Sequence, residues 1–431
     1  MNTEIVPRRG RGYQMLAAVL LATVGVFTFR SAHAEEIPQG ATNSPVAISL
    51  HEGRDDLDAP FLRKLIHVRF ERFPLIEAAA QLSEQVSVPV LVDQKAIKDA
   101  GMLINEPITF STEQPGTRER VAELMAAKTP IEDWDANLVM RLDQVLDFIL
   151  RQLDVTWFVE EGILHLTAQD HARMHHLIDR SYSLTPFRKQ KIEDQSLRSA
   201  LSREYWAAFG YGRGAELVTV GHILTLRESF QIQRRLKNLL QAIARPDDNQ
   251  SGVYAEEEVA CRQQLDRIVE ADFLDTPLGQ AIDILAYQSK GRIFLDEVVV
   301  EQSGGRIDQP ITFSLEGESL HETLDIMLSD LKLVVTIKSG ELFVTHPNVA
   351  REMRESRVHD LRAVATTKEL RDSLVDAIMS LTSEQWENTD QGGELTMLEN
   401  GVLIAMTNPA IHEEIAKLVD FYKQHLSIPN R

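Results

Sequence analysis

Residues Pro107-Ile108-Thr109-Phe110-Ser111 return letter for letter as Pro310-Ile311-Thr312-Phe313-Ser314. Working outward at the same offset, Phe73-Pro74-Leu75 answers Thr276-Pro277-Leu278, and Val92-Asp93 answers Leu295-Asp296. Beyond the motif a second constant offset takes over. Leu142, Leu146, Ile149, Leu150 and Leu153 answer Leu320, Leu324, Met327, Leu328 and Leu331. The offset changes because the first copy carries an insertion, residues 112–137. A chain that repeats a small unit is an architectural statement before a chemical one.

The pattern within each copy fixes its elements. Ile66 to Phe70 alternates apolar and polar residues as a half-buried strand does. Pro74 is expected at the first position of a helix, where a missing N–H costs nothing. Leu75, Ala78, Ala79, Leu82 and Val86 then mark one helical face. Val88–Val92 and Pro107–Ser111 read as strands, Leu142–Leu153 as a long helix, and Val155–Val159 with Ile163–Thr167 as a hairpin. The second copy predicts the same order: Ile268–Phe273, a helix Pro277–Tyr287, Arg292–Leu295, Pro310–Ser314, a helix Leu320–Leu331 and a hairpin Val334–Thr345. Each copy is thus β-α-β-β-α-β-β. A second unit follows each, of order β-α-β-β-α. In the first half it runs through Arg180–Leu184, Asp194–Glu204, Glu216–Val220, Ile223–Arg227 and Phe230–Ile243. In the second it runs through Val358–Leu361, Thr367–Met379, Glu394–Leu398, Val402–Met406 and a closing helix marked by Ile411, Ile415, Leu418 and Val419. This mixed order predicts an α+β fold with internal duplication. The expected segments are 56–170 (with the insertion), 177–246, 255–347 and 354–425, joined by a linker at 247–254.

The N-terminus reads as a targeting segment. Arg8, Arg9 and Arg11 precede the apolar stretch Met15–Phe29, and Ser31-Ala32-His33-Ala34 gives a small-x-small cleavage pattern. Residues 1–34 are therefore expected to be a signal peptide cut after Ala34, and 35–55 a flexible leader. The apolar stretch falls short of the roughly 20 residues of a membrane span. The expected location is the periplasm or the extracellular space, with peripheral membrane attachment left open. The net charge is −20, and losing residues 1–34, with four arginines and one glutamate, leaves −23. Such acidity repels phosphate backbones, so no nucleic-acid partner is expected. Cys261 is the only cysteine. It excludes an internal disulfide and a Cys-based zinc site, and is expected to be an inert thiol on a helix Glu256–Leu265.

The β-α-β-β-α-β-β unit resembles the short N-terminal domain shared by secretins and TonB-dependent receptors. The residues that carry the likeness are Ile66–Phe70, Pro74-Leu75, Val88–Asp93, Pro107–Ser111 and Leu142–Thr167, and the set recurs over Ile268–Thr345. The β-α-β-β-α unit resembles the KH-like modules that stack beneath secretin pores. The alternation also resembles exported bacterial proteins carrying such modules in tandem. The resemblance implies protein–protein work in the cell envelope: docking, ring assembly or signal-peptide-like recognition. The chain departs from both families after its last unit, where no pore strands, plug or barrel precede Arg431. Neither a channel nor a transporter is therefore implied.

The residue patterns point the same way. Small open sheets leave edge strands that pair with another chain, and Val88–Val92 and Ile293–Leu295 are the expected edges. The alternative, that each edge is covered by its neighbouring unit, stands equally. Candidate chemistry is sparse. His171, His175 and His176, with His165 upstream, have spacing that zinc sites use, but lack an H-E-x-x-H frame. They are expected to sit on a solvated linker helix, and no metal is assigned. Asp93 and Asp296 are placed alike and are expected to cap the next helix rather than form an acid–base pair. Trp206 and Trp386 correspond and are expected in the core rather than as a binding platform. No catalytic residue or cofactor is assigned. The expected function is a non-enzymatic envelope protein mediating protein–protein interaction or assembly. The alternatives are a ligand or peptide sensor, or a hydrolase using the insertion, which contains a predicted helix Arg118–Lys128 and Trp134. The partner is expected to be an envelope protein or a second copy.

Overall fold

A computed structural model of the chain describes residues 56–113, 118–135, 138–151, 153–207, 216–245, 255–302, 304–382 and 394–426. The signal segment, the leader, the linker 247–254 and Trp386 lie outside the described residues. The fold is α+β, built from small sheets each covered by helices.

The first unit, A1, runs β1 (Leu65–Ile66), β2 (Arg69–Pro74), α1 (Leu75–Val86), β3 (Val90–Val92), α2 (Gln94–Asp99), β4 (Pro107–Ser111), α3 (Arg118–Ala126), β5 (Met140–Arg141), α4 (Leu142–Arg151), β6 (Val155–Glu160) and β7 (Ile163–Ala168). A short helix α5 (Gln169–His175) leads to unit B1: β8 (Leu177–Ser183), α6 (Thr185–Lys189), α7 (Asp194–Ala207), β9 (Glu216–Val220), β10 (Ile223–Ser229) and α8 (Phe230–Ala244). Unit A2 follows with α9 (Ala255–Leu265), β11 (Ile268–Pro277), α10 (Leu278–Gln288), β12 (Ile293–Leu295), α11 (Glu297–Gln302), β13 (Pro310–Ser319), α12 (Leu320–Ser329), β14 (Val334–Lys338), β15 (Glu341–Thr345) and α13 (Pro347–Glu352). Unit B2 closes with β16 (Glu355–Asp360), α14 (Lys368–Leu381), β17 (Glu394–Met397), β18 (Val402–Thr407) and α15 (Pro409–Leu426).

The two A units share one topology. An antiparallel ribbon, β2–β4 or β11–β13, sits beside a three-stranded sheet of order β3-β7-β6 or β12-β15-β14, whose first pair is parallel. The two B units likewise share the antiparallel order β8-β10-β9 and β16-β18-β17.

The duplication reaches individual hydrogen bonds. Both ribbons bulge before their closing prolines, with Arg72 and Asp275 each at a φ of 51°. The N–H that the bulge releases from the ladder is taken by the threonine of the repeated motif, Arg72 to Thr109 Oγ1 at 3.3 Å and Asp275 to Thr312 Oγ1 at 3.2 Å. That gives the motif its invariant Thr within this chain, because a bulge leaves a polar group that must be satisfied. Its prolines pair with Pro74 and Pro277 at the ladder end, where no donor is needed. A helix glutamine clamps the opposite end of each ribbon. Gln85 Nε2 donates to the His67 carbonyl at 2.8 Å, and Gln288 Nε2 to that of Glu270 at 2.8 Å. Both hairpins turn on two residues with positive φ, Glu161-Gly162 and Ser339-Gly340, as tight antiparallel hairpins demand.

Some expected boundaries shift for local reasons. Pro74 and Pro277 are the N-cap residues, and the helices begin at Leu75 and Leu278. The expected strand Ile66–Phe70 is broken into β1 and β2, because the insertion splits their partner: β2 pairs with β4 before it, and Leu65 and Ile66 pair with β5 after it. A2 pairs the equivalent Ile268 and Val269 with Ser319 and Glu318 of one continuous β13. Thr112 then bridges the gap, its Oγ1 accepting the Val68 N–H at 3.1 Å. Lacking the insertion, A2 keeps one unbroken strand. The insertion packs Val121 and Leu124 of α3 against Leu138 and Val139, which directly follow it.

The cores follow the units but cross between halves. A1 holds its own apolar cluster, to which Phe343 of A2 and Phe230 of B1 are added. Val358, Leu398, Val402 and Ile404 of B2 belong to the cluster of B1, packed with Leu236 and Leu240. The residues 56–426 that are described thus share continuous packing, with the second half built against the first.

Candidate functional site

Two regions carry chemistry or surface that the fold does not consume. The first is the meeting of the A units. Phe110 on β4 and Phe148 on α4 stack at 5.9 Å between centroids. Phe294 on β12 enters between them, 5.7 Å from Phe110 and 4.9 Å from Phe148, and Phe343 on β15 lies 5.9 Å from Phe148. Phe294 and Phe343 are direct partners across the parallel ladder, so the sheet face of A2 docks on the strand–helix face of A1. Expected edge Ile293–Leu295 is the end strand of its sheet, but Phe294 is packed into A1. The other expected edge is also terminal, and its Leu91 is 49% exposed.

The duplication identifies the equivalent surfaces. The A2 counterparts of Phe110 and Phe148 are Phe313 on β13 and Ile326 on α12. Phe313 is half-buried and Ile326 is 51% exposed. The A1 counterparts of Phe294 and Phe343 are Leu91 and His165, again facing partners across a parallel ladder.

The second region lies beside Leu91 and His165. Asp93 ends β3 and caps α2, accepting the Ala96 N–H on Oδ1 at 2.9 Å, which is the capping role expected of it. Its other oxygen, Oδ2, accepts from the Thr167 hydroxyl at 3.5 Å and faces His171 Nε2 at 3.6 Å. Asp296 repeats the cap on Val299 at 3.3 Å and the threonine contact with Thr345 at 3.3 Å. Helix α5 carries the imidazoles. His171 and His175 are one turn apart, their rings 4.5 Å between centroids, and His171 is 5.4 Å from His176. The ligand atoms of Asp93, His171 and His176 lie within 4.8 Å of one another. Phe158 stacks with His165, at 4.7 Å, and with His176, at 4.4 Å. Burial pushes the His165 and His176 pKa values below the ordinary range, with the neighbouring His171 adding to the effect at His176. Sequence order hides this group, because Asp93 comes from a strand far upstream of α5.

Elsewhere, Cys261 is buried on α9 and its thiol donates to the Gly340 carbonyl at 3.2 Å. Burial raises its pKa well above that of a free thiol. Trp206 falls near the end of α7. Trp134 is half-buried in the insertion, donating to the Thr129 carbonyl at 3.1 Å. It lies 5.1 Å from the His67 ring, and His67 Nε2 meets Glu113 at 3.1 Å. These side chains border a cavity of about 420 Å³ between the insertion and α1.

No family model and no curated protein matches the chain. Among solved structures it is similar to a chain described as the Salmonella SPI-1 type III secretion injectisome basal body proteins InvG, PrgH and PrgK, at 8% identity and a TM-score of 0.16. The match covers 83% of this chain and 45% of that one, so the chain spans less than half of that neighbour's length.

Proposed function

We propose that this is an exported, non-enzymatic envelope protein that binds another protein through a face its own fold shows how to fill. The A units resemble the secretin and TonB N-terminus domain, and the B units resemble secretin-type KH-like modules. Both resemblances favour assembly work. One observation carries the proposal: Phe110 and Phe148 of A1 receive an apolar sheet face, while the same positions in A2, Phe313 and Ile326, do not. Ile326 stands exposed at the position where A1 holds the aromatic partner of an apolar sheet face, so the same mode of docking is open to A2. The expected occupant is a sheet face of the same kind, from another envelope protein or from a second copy through Leu91 and its neighbours. The strand edges at β3 and β9 offer a further route, since each is terminal in its sheet and Val220 on β9 is 71% exposed.

The test is Ile326→Glu in the intact protein, with mass measurement in solution and recovery of partners from envelope fractions. Association is expected to fall at least tenfold, about 1.4 kcal/mol, while the circular dichroism spectrum is unchanged. Complexes that survive both this change and Leu91→Glu would overturn the proposal. The cavity beside the insertion favours a second reading, a small-ligand sensor holding its ligand in the space that Trp134, His67 and Glu113 line.

A further inference from the structure

The first half carries a donor set that the second half lacks in the same frame. At the second offset His165, His171, His175 and His176 correspond to Phe343, Val349, Met353 and Arg354, while Asp93 and Thr167 keep their counterparts in Asp296 and Thr345. The capping geometry is therefore structural in both copies, and the imidazoles are an addition to one. In A2 the corresponding positions are spent on packing, with Phe343 and Met353 set against the A1 cluster. In A1 they are polar, half-exposed and gathered around a carboxylate.

We propose that Asp93, His171 and His176 bind a divalent transition metal ion of the zinc class, with His175 or water completing the coordination. Two imidazoles and a carboxylate suit zinc and its neighbours, whereas calcium and magnesium call for oxygen donors throughout. A tetrahedral ion with bonds of about 2.1 Å needs donors roughly 3.4 Å apart. The His171–Asp93 separation of 3.6 Å is close to that, and the ligand atoms of the full set lie within 4.8 Å of one another. The outer partners are in place. Thr167 and the Ala96 N–H orient the carboxylate, and Phe158 stacks with the His176 ring, as supporting contacts do around metal ligands. With His171 and Asp93 about one-third exposed, an ion reaches them from solvent. Binding ties α5, the connection between A1 and B1, to the end of β3.

The intact, ion-free protein titrated with Zn²⁺ by calorimetry, and with Co²⁺ by visible absorption, tests the site. Saturable, stoichiometric binding is expected at roughly micromolar Kd or tighter, with an intense low-symmetry Co²⁺ band and a raised melting temperature. His171→Ala and His176→Ala should each weaken binding at least tenfold, and Thr167→Ala roughly tenfold through the carboxylate. Asp93→Asn keeps a capping oxygen, so the fold survives while the ion is lost. Asp296→Asn in the other copy should leave affinity unchanged. Binding that persists in the double variant His171→Ala/His176→Ala, or no saturable binding in a protein whose spectrum shows it folded, would overturn the assignment.

Discussion

The interior of B2 contains two histidines whose chemistry is set by one another. His359 and His412 are both buried, and His359 Nε2 lies 3.2 Å from His412 Nδ1. His412 Nε2 meets the Glu355 carbonyl at 2.9 Å, and a carbonyl can only accept. Nε2 therefore carries the His412 proton, Nδ1 accepts, and His359 donates from Nε2, leaving both rings neutral. Burial, with Arg357 next in weight, pushes His359 down to about 3 and His412 well below the ordinary value. The sign follows directly. In the unfolded chain these histidines take up protons as the pH falls through about 6.5, whereas the folded chain resists. Their contribution is complete above that pH and is lost below it, at about 1.4 kcal/mol per pH unit for each ring. Urea midpoints should thus drop steeply between pH 6 and pH 4, and His359→Gln/His412→Gln should flatten that limb. A variant with an undiminished acid slope would place the pH sensitivity elsewhere.

Among the elements, the ones most legible in sequence were those whose pattern has one cause. The hairpins at Gly162 and Gly340 were readable because each glycine ends a short polar stretch between two strand-like runs, Glu160-Glu161-Gly162 and Lys338-Ser339-Gly340. The structure tightens each turn to two residues by pairing Glu160 with Ile163 and Lys338 with Glu341. The caps at Asp93 and Asp296 were readable because an Asp that directly follows a strand and precedes a short helix or turn has few better uses. Alanine at either position should cost about 1 kcal/mol. The two losses should be similar and additive, as the sites share no partner, and thermal melts of the singles and the double would check it. What escaped the sequence was whatever depends on a distant element. The strand Ile66–Phe70 broke because the insertion divides its partner into β4 and β5, while the equivalent pairing in A2 runs along one continuous β13. The helix α5 read as solvated, and its exposed Asp170 and His175 fit that, but the strand end that brings Asp93 to His171 leaves no local signature. The bulge at Arg72 and Asp275 was written in the repeated Thr, though its meaning emerges only when the released N–H is traced.

At the scale of the molecule, the halves are held by polar contacts as well as by the four phenylalanines, and one carboxylate lies where three units converge. Asp143, at the start of α4, is fully buried. It accepts from Arg141 at 2.7 Å and from Arg234 of α8 at 2.7 Å. Arg141 reaches on to Glu257 of α9 at 2.5 Å, so the chain of charges runs from B1 through A1 into A2. Arg234 also lies over the Trp157 ring, 5.0 Å from its centroid. Taking such a charge out of water is costly, and the attraction only just offsets it, so the intact group adds little net stability. Breaking it is another matter. Asp143→Ala takes from Arg141 and from Arg234, 7% exposed, a buried carboxylate that both donate to, and should destabilise the protein by about 3–5 kcal/mol. Removing the cation as well, in Asp143→Ala/Arg234→Met, should recover most of that loss, because an apolar side chain suits the same volume. If the double variant were as unstable as the single, the loss would come from the α4 start, where Asp143 also accepts the Gln144 N–H at 3.0 Å. Recovery would show instead that the carboxylate sets how the units fit together rather than how firmly they hold.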